Sequence, residues 1–355
     1  GKAETGSVRA EDDYYNYVNQ KFLAGKQIPE DSESWSYFYE LGQESYRNLS
    51  ELLDEVINQR SNLAEGSPEQ KIVDLYQTAM DMEGRKRAGF GALQPYLDSI
   101  RGAADIQEYI EAVGAVNNDL GFSSLIALAY FEDMKNSQNY GCYLGSADLG
   151  PGKEILEDGS RTKKLEEYTA YVGDILKLYE EAAGGNGNQM VNMENGAGSR
   201  AAEIAAMQQA IAAVSLPDEE RWNLELADYR LTGEELGELF QGIDMEAVLA
   251  VAGIHAAGGS DAAINAEVGS DAAVKTEVSS DTAANAAPRY IVMEPEAEKC
   301  LAGYLTEENL PLLKDYAIFC LIDDMAPYLA PSVRDRKLAY ERSGEAQEEE
   351  LAVDL

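Results

Sequence analysis

Histidine is almost absent: His255 is the only one in 355 residues. A metal site of the paired-histidine kind needs two imidazoles one helical turn apart, so that both face one ion. This chain cannot supply them. Val251, Ala252, Gly253 and Ile254 precede His255, and Ala256, Ala257, Gly258 and Gly259 follow it. No Gly-x-Ser-x-Gly elbow occurs, so a serine or cysteine nucleophile relayed through His255 has no support. The residue reads as a solvated histidine at the edge of a loop. Cysteine is scarce too. Cys142, Cys300 and Cys320 form no disulfide framework and show no metal-ligand spacing. Cys320 lies on an apolar helical stripe and reads as a small buried hydrophobe. Positive charge is short: 28 Lys and Arg stand against 65 Asp and Glu, a net charge of −37. That excludes non-specific binding to a nucleic-acid backbone, which requires a basic surface. No apolar run approaches the ~20 residues of a membrane helix, so no membrane segment is expected. Gly-x-Gly-x-x-Gly after a strand, a phosphate loop ending in Gly-Lys-Ser/Thr and an Asp-x-Asp-x-Asp-Gly calcium loop are all missing.

What is present is an ordinary globular composition, 45% hydrophobic, with length for one large domain or two modest ones. The acidic residues read mainly as a solvated surface. A pair of them could serve a carboxylate-pair hydrolase, but composition selects no pair. Asp12 or Asp13 opens a short amphipathic helix with Tyr14, Tyr17, Val18 and Phe22, ended by Gly25 and an extended Ile28-Pro29 step. A longer helix carries Phe38, Leu41, Leu49, Leu52, Leu53, Val56 and Ile57. The aromatic crowd from Tyr14 to Tyr39 reads as core or interface rather than a ligand platform. Ser67, Pro68 and Gln70 predict a helix over 67–83 with Ile72, Leu75, Tyr76, Ala79 and Met80 in one stripe. Further helices are predicted near 93–100 and 105–116. Residues 123–131 and 140–144 predict a hairpin with its loop at Asp133–Asn139, followed by a loop over 145–161.

Leu165, Tyr168, Val172, Ile175, Leu176 and Tyr179 mark another helix, and 184–198 is a Gly/Asn loop. An alanine-rich helix then turns Ile204, Met207, Ile211 and Val214 inward. Thr232 and Glu235 form a capping box, and Asp244 restarts a helix over Met245–Val251. Residues 259–288 hold three ten-residue repeats, GSDAAINAEV, GSDAAVKTEV and SSDTAANAAP. They are too small and polar for a solenoid core and read as a low-complexity insertion. A strand at 289–293 and helices over 306–328 and 329–342 complete the chain. Helical spacing still running at EEELAVDL suggests a fragment.

The opening stretch, Asp12, Asp13, Tyr14, Tyr15, Tyr17, Val18, Asn19, Gln20, Phe22, Leu23, Ile28, Pro29 and Phe38, resembles the start of the neprilysin family of zinc metallopeptidases. That family includes the endothelin-converting enzymes and bacterial oligopeptidase O. Gln20 and Phe22 depart from its usual Gly and Trp. The resemblance continues in order through Lys71–Ile100, through Asp133, Lys135, Asn136 and Tyr140, through Leu231–Asp244, and to Ala326-Pro327-Tyr328-Leu329. The repeats lie outside it.

The resemblance implies a mainly α fold, a multi-helix lid lobe with a small β-hairpin or sheet element. The family's zinc motif lies beyond Leu355, so zinc and its activated water belong to an absent catalytic lobe. This chain is then predicted inactive alone, with no catalytic, cofactor-binding or metal residue and with its substrate-binding residues unknown. Arginines that grip a substrate carboxylate in some members correspond here to Ser34 and Gly42. The expected organisation is a linker or leader remnant at 1–10, a segment at 11–55 packing with the catalytic lobe, the lid lobe at 56–342, and the start of the next region at 343–355. Expected partners are peptide substrates and the chain's own C-terminal catalytic lobe. The expected location is the bacterial cell envelope or outside it. The other reading is a stand-alone helical protein that binds a peptide or partner at a surface without catalysis.

Overall fold

The computed structural model describes residues 8–27, 36–121, 124–157, 159–184, 196–217, 219–220, 223, 229–252, 254–255, 265–266 and 290–353. Ile28-Pro29, Ser34, residues 185–195 of the predicted 184–198 loop and nearly all of the repeat segment lie outside them. The chain divides into two compact units, Gly1–Met80 and Asp81–Leu355.

Among its described residues the first unit holds three α-helices, each started by a side chain that satisfies orphan N–H groups, and a short 3-10 turn at Arg60–Asn62. The Asp13 carboxylate accepts from the Asn16 N–H at 2.9 Å and opens α1, Tyr14–Leu23. The Ser36 hydroxyl accepts from the Tyr39 N–H and opens α2, Tyr37–Asn58. The Ser67 hydroxyl accepts from the Gln70 N–H at 3.2 Å ahead of α3, Pro68–Met80. Gln70 reaches back to the Gly66 N–H at 2.5 Å, one residue earlier than a standard capping box. The predicted helix over 67–83 breaks at Asp81, whose carboxylate accepts from the Gly84 N–H at 2.8 Å and starts a new helix.

The second unit contains α4 (Met82–Ala88), α5 (Gln94–Gly102), α6 (Ile106–Leu120), α7 (Lys153–Glu157), α8 (Thr162–Gly184), α9 (Ala197–Ala212), α10 (Gly233–Leu239), α11 (Met245–Val251), α12 (Pro295–Tyr304), α13 (Leu310–Met325) and α14 (Pro331–Val353). At its centre is α13, apolar nearly all round, as a helix enclosed by others must be. Leu313, Tyr316, Ala317, Ile318, Phe319, Cys320, Leu321 and Ile322 are buried there. It packs against α5, α6, α8 and α9. Cys320 is buried as expected, and burial pushes its thiol pKa well up. The Arg85 guanidinium on α4 donates to the Leu329 carbonyl at 2.7 Å and to the Pro327 carbonyl, fastening the turn between α13 and α14.

A four-stranded sheet runs in the order β1 (Ala127–Asp133), β2 (Asn136–Gly145), β6 (Tyr290–Val292), β3 (Tyr229–Leu231). Among the described strands of this sheet only β2 and β6 pair in parallel. A two-residue pair, β4 (Ile254–His255) with β5 (Asn265–Ala266), stands apart.

Several predictions from pattern are corrected. The hairpin turn is Met134-Lys135, not 133–139, because Asp133 pairs directly with Asn136 after a bulge. The 145–161 loop contains α7, and α12 follows β6 unannounced. Val214 is exposed, since α9 ends at Ala212. The capping box at Thr232 and Glu235 is present in both directions.

Candidate functional site

In the first unit the apolar stripes face outward. Neither α1 nor α2 contains a buried residue. Tyr14 is 70% exposed and Phe38 84% exposed, and Leu41, Leu49 and Leu52 share the Phe38 face. On α3 only Val73 is buried, while Ile72, Leu75, Tyr76 and Met80 of the predicted stripe are exposed. The aromatic crowd is therefore not the core of this unit. Gly42 has open space where a side chain would stand, so nothing at that position replaces an arginine. Its predicted companion Ser34 lies outside the described residues.

In the second unit the hairpin tip singled out by the sequence is a structural clamp. Both Asp133 carboxylate oxygens accept from Arg230 on β3, at 2.6 and 2.7 Å. Asp133 Oδ1 also accepts from the Lys135 N–H at 2.8 Å. Asp133 is buried, and a bidentate guanidinium fixes orientation as well as charge. Arg230→Met is expected to cost about 2–3 kcal/mol, because it leaves a buried carboxylate half-satisfied. Urea unfolding of the two proteins measures it, and a difference under about 0.5 kcal/mol would show the clamp to be dispensable.

A cavity of about 470 Å³ is lined by Gly145 to Gly150, Gly152, Lys153, Met293 and Glu294. Its polar groups hold backbone. The Lys153 ammonium donates to the Ala212 and Ser215 carbonyls and pairs with Glu157 at 3.1 Å. Glu294 Oε2 accepts from the Leu216 N–H at 2.9 Å, and its Oε1 accepts from the Ser146 hydroxyl at 3.4 Å. Burial pushes the Asp148 carboxyl up, against the pull of the Gly150 N–H. Ser146 donates to Glu294, which also holds the Leu216 N–H, so among the described residues the lining braces a loop. The sequence missed Glu294. The signal was Glu294-Pro295 ahead of Ala297 and Leu301, a helix start with apolar residues at i+3 and i+7.

Among the described residues no group of three or more His, Cys, Asp or Glu side chains is placed to hold a metal ion. The side chain of His255 is not among those described. Among the described residues no helix is long and apolar enough to cross a membrane.

No curated protein matches the chain. The crystal structure of the Mycobacterium tuberculosis zinc metalloprotease Zmp1 with an inhibitor is similar with a TM-score of 0.71 at 20% identity, over 95% of this chain and 45% of that one. The open state of the same protease gives 0.68 at 21%, over 94% and 46%. PepO from Lactobacillus rhamnosis gives 0.62 at 15%, again over 94% and 46%. These likenesses show a common fold, and the chain spans about half the length of the solved structures it matches. The described residues do not fit a zinc ion, so no step through zinc is assigned to them. The model for the N-terminal part of peptidase family M13 matches residues 10–354, nearly the whole sequence, and the chain belongs to that family as its N-terminal region.

Proposed function

We propose that this chain is the non-catalytic N-terminal part of a zinc endopeptidase, capping a substrate chamber and restricting access to peptides. The observation that carries the reading is the family match over 10–354, joined to a fold that accounts for under half of each similar protease. In this reading residues 11–55 pack on a catalytic lobe, 56–342 form the lid and 343–355 begin the next region. The outward apolar faces of α1 and α2 support the first assignment, because such surface is stable in water only when something covers it. The whole chain's net charge of −37 supports a preference for cationic peptides. Work in the bacterial envelope or outside the cell completes the proposal.

The test is to mix the chain with a separately expressed C-terminal half of the same protein. A stable complex and chelator-sensitive cleavage of short peptides, with folded proteins spared, is the expected result. No complex and no restored activity overturns it. The exposed helices also suit a stand-alone binding protein, which predicts a peptide or protein partner and no gain of activity in that mixture.

A further inference from the structure

One turn along α12 from Glu294 stands Glu298, with 0% exposure. Among the described residues neither of its carboxyl oxygens has a hydrogen-bond partner. Burial disfavours its charged form, and the Glu294 carboxylate beside it adds like-charge repulsion. Both push its pKa well above the ordinary carboxylate range. Among the described residues no cation acts on the Glu298 carboxyl. On α9, which packs against α12, Arg200 is taken by Glu180 and Asp315, and Glu203 accepts from Ser199. Lys153 on α7 is held by the Ala212 and Ser215 carbonyls and Glu157. Lys299 on α12 itself pairs with Glu296 at the surface. Cys300, next on α12, donates to the Ala210 carbonyl and brings no positive charge.

Glu294 in turn joins three segments, since it holds the Leu216 N–H beyond α9 and the Ser146 hydroxyl beyond β2. We propose that Glu298 makes this junction a proton-dependent latch on the neighbouring cavity. With the carboxyl neutral, α12 closes on α9. Loss of the proton sets two negative charges on one turn inside the seam, loosens Glu294 from Ser146 and Leu216, and opens the cavity lined by 145–150 and Lys153.

The sign follows from linkage. Unfolded, Glu298 titrates near the ordinary 4.5, and folded it titrates higher. The folded state thus keeps a proton that the unfolded state has released. This contribution to stability is complete below the unfolded value and is lost as pH rises toward the folded one. The test compares urea unfolding of the full chain and of Glu298→Gln between about pH 5 and pH 8, with amide exchange corrected for its intrinsic pH dependence. The wild type is expected to lose stability with rising pH relative to Glu298→Gln, by up to about ten-fold in its folding equilibrium per pH unit. Exchange at 145–153 and 212–216 is expected to quicken with pH in the wild type alone. Parallel stability profiles, or exchange rising equally in both proteins, overturn the latch. If Glu298→Gln does not fold, Glu298→Met is read in its place. If neither folds, wild-type exchange that quickens only in these two segments supports the latch, and pH-independent exchange there overturns it.

Discussion

Tyr316→Ala is expected to destabilise the second unit by about 3–5 kcal/mol, the cost of an aromatic-sized hole in a close-packed core. Tyr316 is fully buried near the middle of α13. Burial pushes its phenol pKa well up, so the hydroxyl stays neutral and donates. It reaches the Ser124 carbonyl at 2.7 Å and the Asp148 carbonyl at 2.6 Å, linking the start of the hairpin to the loop after it. Tyr316→Phe separates the hydroxyl from the ring. Its cost should be only about 1 kcal/mol, because each carbonyl keeps a second donor. Ser124 O also accepts from the Asp148 N–H at 2.9 Å, and Asp148 O accepts from Gln208 Nε2 at 3.1 Å. The corollary is a non-additive pair. Tyr316→Phe with Gln208→Ala strips the Asp148 carbonyl of both side-chain donors and should cost more than the two changes summed. Urea midpoints of the four proteins give the coupling, and strict additivity would show that the two donors act independently.

The same hub explains Gly150. Its φ of +59° is a left-handed conformation that side chains resist, and a Cβ there would run into the Tyr168 hydroxyl and come within 3.0 Å of Gln208 Nε2. Tyr168 donates to Gln208 Oε1 at 2.9 Å, so the glycine leaves room for the amide that braces the loop.

Local signals were the legible part of this fold. Asp13, Ser67 and the Thr232–Glu235 box start helices where capping chemistry places them, because a cap acts within four residues of its own chain. The helix α13 was legible as an apolar stripe through Cys320, though not as one enclosed on most sides. Tertiary consequences were not. The two-residue turn at Met134-Lys135 depends on Arg230 arriving from almost a hundred residues away. The Glu298 site depends on α9 covering a face of α12 that the sequence writes with a carboxylate. Periodicity marked Phe38, Leu41, Leu49 and Leu52 as one face without saying what meets it. A hydrophobic stripe reports that a surface avoids water and carries no information about the partner.

That last gap sets the second large effect. Phe38→Asp with Leu49→Asp is expected to leave the chain's own unfolding midpoint within about 0.5 kcal/mol, since both side chains already face solvent. The same pair should weaken association with the proposed catalytic half at least ~100-fold. Fully burying two such side chains contributes about 1.5–3 kcal/mol each, and every 1.4 kcal/mol is about a factor of ten in affinity. Val73→Asp is the control: a buried residue of the same unit, it should lower stability directly. Titration calorimetry against the catalytic half, beside urea unfolding of each variant, reads both quantities. Unchanged affinity would remove α2 from the interface and return the outward stripe to the stand-alone binding reading. A large loss of stability in the double variant would instead show that Phe38 and Leu49 are core to their own unit. The expected pattern, stability kept and association lost, is the signature of a face whose apolar character belongs to another surface.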